Sequence, residues 1–246
     1  MLKVNHLSKR FGGLTAVSDL TFEVARGEVF GVIGPNGAGK TTLLNLITGY
    51  QPASSGSILL EGQELCGLAP YDICRLGVAR TFQVVRPFAE MSVGDNVMTG
   101  ALFASKDRVS TADARKRADA SLDMVGLYAK RNSLAGELTI GEKKKLELAR
   151  SLATKPKLLF LDEVMAGLAG SEIEAMMDVV ERVADSGTTI LMIEHLVGVI
   201  LALTDRVLVL DFGRELFRGT PEEVVAHPEV IDSYLGKPLQ GTETLR

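Results

Sequence analysis

An α/β fold is predicted for this chain, with a mostly parallel, buried sheet at its centre. Three observations carry the prediction. Residues 29–33, 158–161, 188–193 and 207–210 are short runs dominated by Val, Ile and Leu, the pattern of strands covered on both faces. Helical patterns separate these runs. Residues 1–30 and 56–62 read differently, as short alternating strands broken by glycine, which puts a small antiparallel sheet beside the core.

In chain order, Leu20, Phe22 and Val24 alternate with Thr21 and Glu23, and Gly12, Gly13 and Gly27 supply the turns around them. Strand 29–33 runs into a glycine-rich turn and then a helical pattern over 42–48. Between 93 and 154 strand signals vanish, and helical patterns over 93–104, 111–125 and 141–153 form an insert. Pro156 marks the return to the core. Ser171 and Glu174 have the spacing of a capping box for a helix through Ala184, with Gly187 placed as its stop. Pro221 sits in the first turn of a short tail helix over 221–226. The expected layout is one domain, 1–236. Within it 1–92 and 155–219 make the core and antiparallel sheet, 93–154 the helical subdomain and 220–236 a C-terminal helical segment. A flexible tail is expected at 237–246.

The 246 residues correspond to about 1.6 domains at about 150 residues each. With 46% hydrophobic and 24% charged residues, the composition is that of a folded globular protein. A formal charge of -4 excludes the broadly basic surface by which proteins neutralise nucleic-acid phosphates. The longest apolar stretch, 196–203, is far short of the roughly 20 residues that cross a bilayer. The first residues lack the apolar core of a signal peptide, so the chain is expected in the cytosol. Cys66 and Cys74 have neither a CxxC spacing nor a nearby His and read as small buried thiols.

The residues that carry chemistry begin after the first core strand. Gly34, Pro35, Asn36, Gly37, Ala38, Gly39, Lys40 and Thr41 fit the pattern GxxxxGK[ST], between a strand and a helix, which is the context of a phosphate loop. Phosphates need converging N–H donors, glycines let the backbone curl tightly enough to aim them, and the helix N-terminus adds partial positive charge. Lys40 is placed to reach the β and γ phosphates, and Thr41 to put its hydroxyl on Mg²⁺. Residues 158–161 end in Asp162 and Glu163. A carboxylate at the end of such a strand holds the magnesium ion, the role expected of Asp162. Glu163, pointing elsewhere, is expected to polarise an attacking water as general base. His195, after strand 188–193, is expected to hydrogen-bond the γ-phosphate or that water. Gln83 is expected to offer its amide oxygen to Mg²⁺ or the water. His6 and His227 are read as having no such role.

The order of these motifs resembles the ATP-binding subunits of ABC transporters over nearly the whole chain. The segments Arg80-Thr81-Phe82-Gln83, Ile193-Glu194-His195 and Gly219-Thr220-Pro221-Glu222-Glu223 are most similar to those of branched-chain amino acid importers, whose relatives carry other amino acids, amides or urea. The resemblance implies a P-loop NTPase core of RecA-like type. It also implies that Phe11 stacks on adenine, with Val17 and Thr42 among the nucleotide contacts, and that Gln83 touches magnesium and reports to the permease. Leu138, Thr139, Ile140, Gly141 and Glu142 stand in place of the family signature LSGGQ, which closes over the ATP of a partner subunit. The departures are Thr139 for serine, Ile140 for glycine, Glu142 for glutamine, Val164 for proline and Ala169 for an aspartate or asparagine. Lys143, Lys144 and Lys145 either offset the charge of Glu142 or form a solvated helix face.

The activity so implied is Mg-dependent ATP hydrolysis at the cytoplasmic face of a membrane. Two ATPase subunits, alike or different, would sandwich ATP and drive a permease fed by an external substrate-binding protein. Residues 84–91 lie where the family docks a short permease helix; alternatively Phe88 and Met91 pack the insert against the core. Competing functions are a soluble ABC-type ATPase acting on DNA or ribosomes, an export ATPase, and a regulatory module that binds nucleotide without hydrolysis. One phosphate loop, no sustained heptads and negative charge disfavour the first, and Glu163 with His195 disfavours the last.

Overall fold

The computed structural model describes residues 1–104 and 109–235, so the tail expected at 237–246 lies outside the described residues. Strands β1 (Leu2–Phe11) and β2 (Leu14–Val24) form a hairpin closed by Gly12 and Gly13. Next come β3 (Val29–Ile33), helix α1 (Lys40–Ile47), β4 (Ser55–Leu60), β5 (Gln63–Glu64), α2 (Pro70–Arg75) and β6 (Val78–Arg80). Helices α3 (Val93–Phe103), α4 (Thr111–Met124) and α5 (Ile140–Leu152) form the insert. The chain returns through β7 (Leu158–Asp162), α6 (Gly170–Asp185), β8 (Thr189–Ile193), α7 (Val197–Leu203), β9 (Arg206–Asp211) and β10 (Arg214–Gly219). It ends in α8 (Pro221–Ala226), α9 (Pro228–Val230) and a last helical turn over Ile231–Leu235.

Two sheets result. The smaller has strand order β2-β1-β4-β5 and is antiparallel; the larger runs β10-β9-β3-β8-β7-β6. All neighbours in the larger sheet are parallel except β9 and β10, which form a hairpin. Every residue of β3, β7 and β8 is buried, as the unbroken apolar runs require. One apolar cluster, including Phe22, Phe30 and Leu43, fills the space between the two sheets and α1. The other, including Val97, Leu146 and Val180, lies between the large sheet, the helical insert and α6. Strand β3 sits between β8 and β9, so its C-terminal end is the switch point at which α/β sheets place ligands.

Some boundaries differ from the sequence reading. Helix α1 opens at Lys40 rather than residue 42, because Gly39 takes a left-handed conformation and caps it. The cap of α6 is Ala169, not Ser171: the Ala169 N–H donates to Glu172 Oε2 at 3.0 Å, while Ser171 lies inside the helix. An alanine side chain offers no oxygen, so the cap left no trace in the sequence. Cys66 and Cys74 are half-buried rather than buried, and burial pushes the Cys66 thiol up to about 11.

Candidate active site

The loop between β3 and α1 owes its shape to two glycines that tolerate no side chain. Gly39 has φ 101°, and a Cβ there would collide with the carbonyl oxygen of Ala16; Gly34, at φ 146°, would drive one into the Leu210 carbonyl. The loop is braced by the turn between β9 and β10. Gly213 N–H donates to Ala38 O at 3.0 Å, and Ser18 N–H donates to Gly213 O at 2.7 Å. Lys40 is buried, its ammonium held by the carbonyl oxygens of Gly34 (2.6 Å) and Pro35 (3.0 Å). Burial pushes its pKa down, and the carboxylates of Glu163 and Asp162 pull it partly back.

Strand β7 ends in the two carboxylates. Asp162 accepts from Arg80 Nη2 through Oδ2 at 2.8 Å, and Arg80 also donates through Nη1 to Asn45 Oδ1 at 2.7 Å. An Asp162 carboxylate oxygen, the Thr41 hydroxyl and the Gln83 amide oxygen are hard oxygen donors, the chemistry that magnesium takes. Glu163 is left-handed, at φ 51°, a costly conformation for a residue with a Cβ. Its N–H donates to Ile193 O at 2.9 Å. Its carboxylate is held on both sides: His195 Nε2 lies 2.7 Å from Oε1, and Gln83 Nε2 donates to Oε2 at 2.6 Å.

A cavity of about 390 Å³ opens between the phosphate loop and the Glu163–His195 pair. Asn36 to Thr42 line it from the loop and α1, Glu163 and His195 from one wall, and Phe11, Leu14, Thr15, Ala16 and Phe212 from another. Val17 does not belong to it. The side chain is wholly buried between the sheets, and the residue before it faces the cavity. The cause is a register shift in β2 near Asp19, which has φ 56°: inward residues are even from Leu20 to Val24 but odd at Val17. Gln83 and Asp162 do not line the cavity; Gln83 meets it through Glu163, and Asp162 lies behind, against Arg80.

Residues Thr139 to Glu142 lie apart, at the N-terminus of α5. Thr139 and Glu142 form a reciprocal capping box, at 3.1 Å and 3.3 Å. A second cavity, about 260 Å³, is lined by Thr139, Gly141 and Glu142 together with Lys145, Ser171 and Glu172, while Ile140 projects into solvent. The charge of Glu142 is offset by Lys130, at 2.5 Å, rather than by the lysines that follow it. That contact holds its carboxyl below the usual range, and the backbone bond from Thr139 adds to the effect. The solvated-face reading fails for Lys144, which is 8% exposed.

A third cavity, about 450 Å³, opens between α2, β6 and the insert, with Tyr50, Phe82, Phe88, Phe103 and Arg150 around it. Of segment 84–91, Val84 and Phe88 are exposed, whereas Met91 is half-buried and its carbonyl accepts from Ala135 N–H. Met91 therefore packs toward the insert, whereas the Val84 and Phe88 side chains stay exposed. Glu147, buried at the cavity wall, accepts the Phe82 N–H at 2.6 Å through Oε1, and Oε2 has no partner. Burial pushes its carboxyl up to about 7 against the pull of the Phe82 N–H, Arg150, Lys144 and Arg80.

Arg80, Asn45, Lys144, Glu194 and Phe212 were not foreseen at the site. Arg80 directly precedes Thr81-Phe82-Gln83, but no local signal in the sequence shows that it reaches Asp162. Lys144 had one usable cue: it falls on the same helical face as Leu148 and Ser151.

Fold and site together define a P-loop nucleotide-binding cassette. The ABC transporter family profile matches residues 17–166, and one for branched-chain amino acid ATP-binding cassette transporters matches residues 214–238. The chain belongs to the ABC transporter family. It is 39% identical to the high-affinity branched-chain amino acid transport ATP-binding protein LivG of Escherichia coli K12, over 96% of this chain and 98% of LivG. To BraG of Pseudomonas aeruginosa, described in the same words, it is 36% identical over 96% of this chain and all of BraG. The crystal structure of the ADP conformation of MJ1267, an ATP-binding cassette of an ABC transporter, superposes with a TM-score of 0.87 at 30% identity. That match covers 96% of this chain and 99% of MJ1267.

Proposed function

We propose that this chain is the ATP-hydrolysing subunit of an importer for branched-chain or related amino acids, working beneath a membrane permease. The observation that supports hydrolysis is the Glu163 carboxylate, held by His195 and Gln83 at the wall of the cavity that the phosphate loop lines. The loop N–H groups and Lys40 would bind the triphosphate, with Phe11 against the base. Glu163 would take the proton of the attacking water, and His195 would keep that carboxylate and the γ-phosphate in register. Asp162 and Thr41, with Gln83, would hold a magnesium ion, which when bound neutralises phosphate charge. The cargo class rests on the named relatives.

The assembly follows from the same reading. Thr139 to Glu142 would close over the nucleotide of a second ATPase subunit, identical or different. The cavity around Phe82 and Phe88 would receive a permease helix, placing the chain at the cytoplasmic face of the membrane. A substrate-binding protein would act through the permease. Among the described residues no helix is long and apolar enough to cross a membrane. Glu163→Gln should lower turnover by about 10²- to 10⁴-fold with ATP affinity unchanged. Unchanged steady-state hydrolysis would refute the assignment. Purification from membranes with its attached permease, followed by transport assays, tests the cargo.

A further inference from the structure

Two buried, oppositely charged side chains that the proposed chemistry does not use converge on the backbone of the Glu163 turn. Lys144, on α5, donates from Nζ to the Glu163 carbonyl oxygen at 3.2 Å. Glu194, which follows β8 and is 2% exposed, accepts the Met165 N–H through Oε1 at 2.9 Å. They grip the turn on both sides of residue 164, one by a carbonyl and the other by an amide. The grip falls where the backbone is strained, because Glu163 has φ 51°. A strained conformation persists only where surrounding contacts over-determine it.

We infer that Lys144 and Glu194 are positioning residues that hold the Glu163 backbone left-handed and so aim its carboxylate at His195 and Gln83. Burying a lysine and a glutamate is unfavourable unless each is paired and hydrogen-bonded. Glu194, Glu147 and Glu163 supply negative charge around Lys144, which opposes the effect of burial on its ammonium. Lys144 and Glu194 each spend a hydrogen bond on main chain instead of solvent. Because Lys144 stands in the helix that Thr139 caps, the grip also joins the Thr139–Glu142 segment to the catalytic carboxylate through one rigid element. A shift of α5 would thus turn Glu163 without touching nucleotide. The inference rests on the reading of Glu163 as general base.

The test is steady-state ATP hydrolysis and nucleotide titration on the full chain carrying Lys144→Met, Lys144→Arg, Glu194→Leu or Glu194→Gln, with Glu163→Gln measured alongside. Misplacing a catalytic group by about 1 Å costs up to about 10²-fold. Lys144→Met and Glu194→Leu, which remove the donor and the acceptor, should therefore lower kcat by about ten-fold or more, with KM and ADP affinity unchanged. Lys144→Arg, which keeps a cationic donor, and Glu194→Gln, which keeps an oxygen for the Met165 N–H, should recover most of the loss. Normal kcat in both Lys144→Met and Glu194→Leu overturns the inference. So does a fall of kcat, nucleotide affinity and melting temperature together without recovery in Lys144→Arg or Glu194→Gln. Should Lys144→Met fail to fold, the Glu194→Leu and Glu194→Gln pair decides by the same criteria. If Glu163→Gln itself keeps full turnover, the general-base reading falls first. If Glu163→Gln loses turnover while the other variants keep theirs, only the positioning role falls.

Discussion

Glu147 should make stability fall as pH rises across neutrality, and Glu147→Gln should remove that dependence. The carboxyl is 7% exposed, and burial raises it from an ordinary 4.5 to about 7. The folded state therefore holds a proton that the unfolded chain releases near 4.5. The stabilisation is complete below that value and is lost as pH climbs through 7. The difference amounts to about 3 kcal/mol, at about 1.4 kcal/mol for each tenfold change in proton affinity. Glutamine cannot ionise but keeps an oxygen for the Phe82 N–H. At pH 5 the two proteins should have similar urea midpoints. At pH 8 the variant should be ahead by about 1 M, for a slope of about 3 kcal/mol per M. Parallel midpoint curves from pH 5 to 8 would refute the argument that desolvation dominates at this residue.

Lys40→Ala removes the buried cation of the phosphate loop and should abolish ATP binding; a titration that saturates at the original concentration contradicts this. Arg80→Met leaves Asp162 without its partner at 2.8 Å. Breaking such a buried pair from one side costs about 3–5 kcal/mol, to be read by denaturant unfolding, and a change below 1 kcal/mol would show that water replaces the guanidinium.

The phosphate loop was legible because its requirements are local: glycines at fixed spacing, a strand before and a helix after. Asp162 and Glu163 were legible as charges ending an apolar strand. The residues that hold them were not, because the partners are distant in sequence. Arg80 meets Asp162 across 82 positions, Lys144 meets Glu163 across 19, and Glu194 meets Met165 across 29. Lys144 was further hidden by its neighbours, since three lysines in a row read as solvated charge while the helix turns one of them inward. Val17, named through the family resemblance, is a different case: a register shift at Asp19 changes the parity of the inward face, so Val17 turns into the core and Ala16 faces the cavity.

The position of β3 bears on how the molecule is made. Its neighbours in the sheet are β8 and β9, so Val29 pairs with Ile190 and Phe30 with Arg206. The loop that follows β3 is then clasped by the turn at Gly213. On the ribosome the glycine-rich segment emerges early, but the strands that flank β3 and the Gly213 turn that braces the loop exist only once most of the chain has been synthesised. Such long-range closure is slow. Until β8 and β9 arrive, both edges of β3 lack their parallel partners, and exposed edges of that kind are where incomplete chains aggregate.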